Sequence, residues 1–133
     1  MPDMEQLKKT TALVVDDDSM MREMLKLILR SDAYSVIGEA SNGQDAISLC
    51  ERLSPDLVLL DINMPKMDGL QALAGIRKVC PSAKVVMVSA DATMDRVSEA
   101  VQKGAVGFVV KPLKPASVLD RIAICLKGQK AQP

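Results

Sequence analysis

Leu57-Val58-Leu59-Leu60 runs straight into Asp61, and the same interruption recurs three times along the chain. Leu13-Val14-Val15 stops at Asp16-Asp17-Asp18, Val85-Val86-Met87-Val88 at Ser89, and Phe108-Val109-Val110 at Lys111-Pro112. Short Val- and Leu-rich runs without polar alternation are the pattern of strands buried on both faces, as in a parallel sheet. Parallel sheets carry their ligands at the carboxyl ends of the strands. Four strands ending in carboxylates, a hydroxyl and an ammonium therefore place those groups along one edge. That edge has the equipment of a small metal-assisted phosphate site.

Between the runs the apolar spacing becomes helical. Met21, Met24, Leu25 and Ile28 form one stripe, and Ala46, Leu49, Cys50 and Leu53 another. Leu70, Leu73, Ala74 and Ile76 give a third, and Val97, Ala100 and Val101 a fourth that Gly104 is suited to cap. Leu119, Ile122, Ala123 and Leu126 give a fifth, with Pro115 suited to its first turn and Gly128 to its end. A remaining strand is predicted over about Ser35–Glu39, followed by the Asn42-Gly43 loop signal. Strand then helix, five times over, predicts an α/β fold: a five-stranded parallel sheet with five helices on both faces. The 133 residues read as a single domain, 1–133, with a core over about 11–127 and frayed ends at 1–10 and 129–133. The methionines of the first helix are expected to be core filling.

Composition removes several classes of function. Although 48% of residues are apolar, only Tyr34 and Phe108 are aromatic, so the core is aliphatic. Acidic and basic residues balance at 17 each, and no basic stripe carries aromatics, which argues against nucleic-acid or membrane binding. The start, Met1 to Lys9, is polar with no apolar stretch behind it, so a cytoplasmic protein is expected. Cys50, Cys80 and Cys125 are too scattered for a zinc site and are read as reduced, packed thiols. Histidine is absent, which excludes a Ser-His-Asp triad and histidine metal ligation.

Asp16, Asp17, Asp61, Ser89 and Lys111, taken in order at strand ends, resemble the receiver domain of two-component response regulators, the family of the single-domain chemotaxis regulator. The likeness runs from about Thr11 to Leu126. It rests on Leu13-Val14-Val15-Asp16-Asp17, Asp61-Ile62-Asn63-Met64-Pro65 with Met67-Asp68-Gly69, Ser89-Ala90, and Gly107-Phe108-Val109-Val110-Lys111-Pro112. The resemblance implies a flavodoxin-like strand order 2-1-3-4-5 and a phosphorelay receiver, a signalling switch and not an enzyme. It implies Asp61 as phosphoacceptor, taking its phosphoryl group from a sensor histidine kinase, a phosphotransfer protein or a small acyl phosphate. Asp17, Asp61 and the Asn63 backbone carbonyl would hold Mg²⁺, with Asp16 reaching it mostly through water. Ser89 and Lys111 would hold the phosphoryl oxygens, and Lys111-Pro112 would be a cis bond. Asn63 and Asp91 would tune hydrolysis, and Ser89 and Phe108 would form the switch. The output would be a face made by the fourth helix (about 93–103), the last strand and the fifth helix (about 115–127), binding a target or a second copy. Ser89 stands where many relatives have Thr, and Phe108 where many have Tyr.

Elementary electrostatics supports the metal independently of the resemblance. Close carboxylates repel by about 4 kcal/mol per pair at an effective dielectric of 20, so such a cluster takes up protons or a cation. All-oxygen ligation favours Mg²⁺ over zinc. Simpler roles exist for each residue: Asp18 and Ser19 fit a helix cap, and Asp16 and Asp17 could share it. Other functions fit less well. A haloacid-dehalogenase-type phosphohydrolase needs a second acid two residues after its nucleophile, where this chain has Asn63. Nucleotide enzymes need glycine-rich phosphate loops that the seven glycines do not form. A flavin carrier would share the fold but needs aromatic phosphate loops. A phosphorylation-independent pseudo-receiver is weakened by the presence of all five polar residues. The stronger alternative is the N-terminal receiver of a larger regulator with a DNA-binding or enzymatic output domain.

Overall fold

A computed structural model describes the backbone of residues 9–131 and the side chains of 9–127. Five strands alternate with five helices: β1 Thr10–Val15, α1 Ser19–Arg30, β2 Tyr34–Ala40, α2 Gly43–Leu53, β3 Leu57–Leu60, α3 Gly69–Val79, β4 Lys84–Ser89, α4 Met94–Gln102, β5 Gly107–Val110 and α5 Pro115–Ala131. All neighbouring strands pair in parallel, in the order β2-β1-β3-β4-β5. Both the fold class and the strand order are those expected above.

The period of two along each strand divides the core in half. Leu13, Val15, Val58, Leu60, Val85 and Met87 face Ala46 and Cys50 of α2, Leu70, Leu73 and Ile76 of α3, and Ala100 of α4. Ala12, Val14, Leu57, Leu59, Val86 and Val88 face Leu25, Ile28 and Leu29 of α1 and Val118, Ile122 and Cys125 of α5. With both faces covered, β3 is buried at every residue. The three cysteines are buried and unpaired, as expected of packed thiols.

Local chemistry sets the helix ends. Asp18 caps α1 by accepting the Met20 N–H, and Asn42 caps α2 by accepting that of Asp45. Asp68 and Gln71 form a reciprocal capping box on α3. Gly104 takes φ +107° just past α4, a backbone region that a side chain would disfavour.

Several boundaries and faces differ from expectation. β2 extends one residue further at each end than Ser35–Glu39. Gly128 does not end the last helix, which continues to Ala131; an interior glycine costs a helix only about 1 kcal/mol. Of the stretches expected to fray, residues 1–8 and 132–133 lie outside the described residues, while Thr10 begins β1 and 129–131 are helical. The methionines of α1 are core filling only in part: Met21 is half-buried and packs against the core, whereas Met20 and Met24 are 79% and 46% exposed, and Leu25 and Leu29 take the inward positions. Adjacent helical residues point about 100° apart, so an apolar residue beside the buried stripe lands on its rim. Val101 and Ala74 are outward for the same reason, with Ala72 buried in α3 instead, and Leu53 lies at the margin.

Candidate functional site

The strand ends converge as their polar terminators require. Asp16 follows β1 and Asp61 follows β3, and the Asp61 N–H is held by the Val15 carbonyl at 3.0 Å, locking the two ends side by side. Asp16 and Asp61 are buried and Asp17 is exposed, yet one carboxylate oxygen from each lies within 4.8 Å of the others. An open cleft of about 540 Å³, lined by Asp17, Asn42, Pro65 and Lys66 among others, leads to the exposed side of this cluster.

Lys111, after β5, reaches across the edge. Its Nζ donates to Asp16 Oδ2 at 3.0 Å and stands 3.6 Å from Asp61 Oδ1. The Lys111-Pro112 peptide bond is cis, as the resemblance implies. Ser89 ends β4 and is wholly buried, with its hydroxyl accepting the Asp91 N–H at 3.2 Å. Asn63 is exposed, and its backbone N–H favours the charged form of the Asp61 carboxylate. Phe108 is half-buried on β5 against the α2–α4 half of the core.

Burial pushes the Asp61 carboxyl up to about 6, and the nearby Asp16 and Asp17 charges add to the shift. The Lys111 ammonium and the Asn63 N–H oppose it without cancelling it. For Lys111 burial favours the neutral amine, but the Asp16 hydrogen bond and the two carboxylate charges win, so its pKa rises. The site is thus a cluster of acids held together by one ammonium, and its donors are all oxygen. That set suits a hard divalent cation.

Three supports of the site escaped sequence reasoning. Asp18 does more than cap α1, because its N–H donates to Asp16 Oδ1 at 2.9 Å and orients that carboxylate. Arg22 Nη1 donates to the Asp16 carbonyl at 2.8 Å from one turn into α1. Gly69, which entered above only within Met67-Asp68-Gly69, lies so close to the end of β3 that a Cβ there would clash with the Asp61 carbonyl oxygen. Nothing local in the sequence marks that close approach.

The family model for the response regulator receiver domain matches residues 12–123. The chain belongs to this receiver family. It is 43% identical over 110 residues to chemotaxis protein CheY of Thermotoga maritima, covering 83% of this chain and 92% of that protein. It is 37% identical over 127 residues to the nitrate/nitrite response regulator NarL of Escherichia coli, covering 95% of this chain but only 59% of that longer protein. Among solved structures, the CheX–CheY–BeF3–Mg²⁺ complex from Borrelia burgdorferi matches with TM-score 0.88 and 33% identity, over 93% of this chain and 94% of that one. The receiver is accordingly a signalling switch of a two-component phosphorelay, with an acidic cluster where receivers bind a metal ion. No helix among its described residues is long and apolar enough to cross a membrane.

Proposed function

We propose that Asp61 is the phosphoacceptor of this receiver, and that Asp16, Asp17, Asp61 and the Asn63 carbonyl hold its Mg²⁺. The observation that carries this reading is a buried Asp61 carboxylate gathered with two other acids and lying 3.6 Å from Lys111 Nζ. One Asp61 oxygen attacks phosphorus on a partner's phosphohistidine or a small acyl phosphate. The P–N or P–O bond breaks, and its electron pair leaves with the donor. Such a transfer asks mainly for in-line placement and neutralised oxygen charge. Bound Mg²⁺ supplies two positive charges to that balance. Lys111 supplies a further charge by turning from Asp16 to the phosphoryl oxygens, and Ser89 offers its hydroxyl proton. The receiver in this way assists its own phosphorylation and dephosphorylation, with Asn63 and Asp91 tuning the approach of water. Exchange of a partner's phosphoryl group is tested by mixing the receiver with Mg²⁺ and a phosphorylated histidine donor. A hydroxylamine-labile label, the mark of an acyl phosphate, is the expected result; a hydroxylamine-stable label or none would count against the reading.

The roughly two negative charges of a phosphoryl group at Asp61 would draw Ser89 inward. Space vacated beside β4 would be filled by Phe108, because packed interiors do not keep voids. That movement would reshape the face of α4, β5 and α5, where Met94, Val101 and Val110 are exposed and Lys114 and Arg121 border a shallow groove. A target or a second copy docks there in the active state. Amide shifts recorded with Mg²⁺ and beryllofluoride are expected to change across residues 89–125. Changes confined to the loops around Asp61 would rule this route out.

Three buried, unpaired cysteines suit a reducing cytoplasmic setting. The match to NarL favours a second arrangement, in which the same receiver forms the N-terminal part of a longer regulator with an output domain.

A further inference from the structure

A short chain of polar contacts joins Ser89 to α4. Beyond the bond from its own N–H to Ser89, Asp91 turns its carboxylate toward α4, where Arg96 Nε lies 3.4 Å from Oδ2. Arg96 Nη1 stands 4.0 Å from Glu99 Oε1, and Lys103 Nζ stands 3.7 Å from Glu99 Oε2. Thr93 caps α4 by accepting the Arg96 N–H at 3.3 Å, which anchors the start of the arginine side chain. The β4–α4 loop is therefore tied at Ser89 through the backbone and at α4 through one guanidinium.

We propose that Arg96 is a positioning residue that sets the lifetime of the phosphoryl group by restraining Asp91. This rests on the reading of Asp61 as phosphoacceptor. In hydrolysis a water oxygen bonds to phosphorus, and the P–O bond to Asp61 breaks with its pair returning to the carboxylate. The water's proton is passed to solvent as inorganic phosphate forms. Water must be oriented in line for this, and a nearby carboxylate free to accept its hydrogen bond would orient it. Asp91 is tied beside Ser89 by its own N–H, but Arg96, 3.4 Å from Oδ2, draws the carboxylate toward α4. The planar guanidinium has donors for Asp91 and Glu99 together, so it can hold the first while staying fixed to its own helix. Releasing Asp91 from Arg96 frees an acceptor for the attacking water and shortens the life of the phosphoryl group.

The test follows loss of phosphoryl mass after removal of acetyl phosphate, in the presence of Mg²⁺, for wild type, Arg96→Ala, Arg96→Lys, Asp91→Ala and the Arg96→Ala/Asp91→Ala double variant. Arg96→Ala is expected to decay about two to five times faster than wild type, the scale of one partly exposed ion pair. Arg96→Lys, which keeps the charge but not the planar fork, restores part of the wild-type lifetime. In the Asp91→Ala background, removing Arg96 changes nothing. Equal or slower decay in Arg96→Ala, failure of lysine to rescue, or acceleration that persists without Asp91 overturns the proposal. A wild type that takes no phosphoryl group from any donor overturns the phosphoacceptor reading and this inference with it. Labelled proteins with matching decay overturn this inference alone.

Discussion

Incubation with Mg²⁺ and acetyl phosphate is expected to add one phosphoryl mass, about 80 Da, to the wild-type protein and nothing to Asp61→Asn. Asparagine has nearly the shape of aspartate, so the variant keeps the fold while losing the nucleophilic oxygen. Peptide mapping should place the label on Asp61, buried and beside Lys111, and not on Asp16, which is equally buried but whose two oxygens are already held by the Asp18 N–H and Lys111. Lys111→Ala should cut the labelling rate by about tenfold or more, since one ammonium at developing phosphoryl charge commonly contributes on that scale. Equal labelling of wild type and Asp61→Asn would move the acceptor elsewhere.

The second large effect concerns stability without metal. Burial and the Asp16 charge raise the folded-state pKa of Asp61 from an ordinary 3.8 to about 6. Between those values the folded protein binds more protons than the unfolded chain, so this residue's contribution falls as pH rises through the interval and stays low above it. A rise of that size corresponds to about 3 kcal/mol. Asp61→Asn cannot ionise and should therefore be more stable than wild type at about pH 8, with the advantage vanishing near about pH 4. Mg²⁺ at millimolar scale should raise the wild-type melting temperature at neutral pH by mass action, because only the folded chain gathers the three carboxylates. Asp17→Ala should lose that response. Thermal melts across pH, with and without Mg²⁺, check all three outcomes. An Asp61→Asn variant less stable than wild type at alkaline pH would contradict the electrostatic account, and an unchanged Mg²⁺ response in Asp17→Ala would remove that ligand.

What was legible along the chain is what local pattern and covalent order dictate. The runs Leu13-Val14-Val15, Leu57–Leu60 and Val85–Val88 are uninterruptedly apolar because both sheet faces are covered, and their breaks mark the strand ends. Parallel strands all end at one edge, so Asp16, Asp61, Ser89 and Lys111 had to meet there once the elements were placed. The start of α1 was readable at Asp18 because a cap acts within three residues.

Packing in three dimensions settled the rest. Whether Met24 or Leu29 turned inward depended on which side of α1 met the sheet, and apolar chemistry suits both. The pairing of Lys111 with Asp16, 95 residues apart, came from the relative height of two strand ends and not from any local signal. The same holds for the close approach of Gly69 to the Asp61 carbonyl and for the reach of Arg96 to Asp91. Residue order alone dictates which groups stand at the functional edge, because periodicity is short-range and strand order is topological. Their protonation and partners arise only in the folded chain, because burial and charge act through space over a few ångströms and leave no trace in residue spacing.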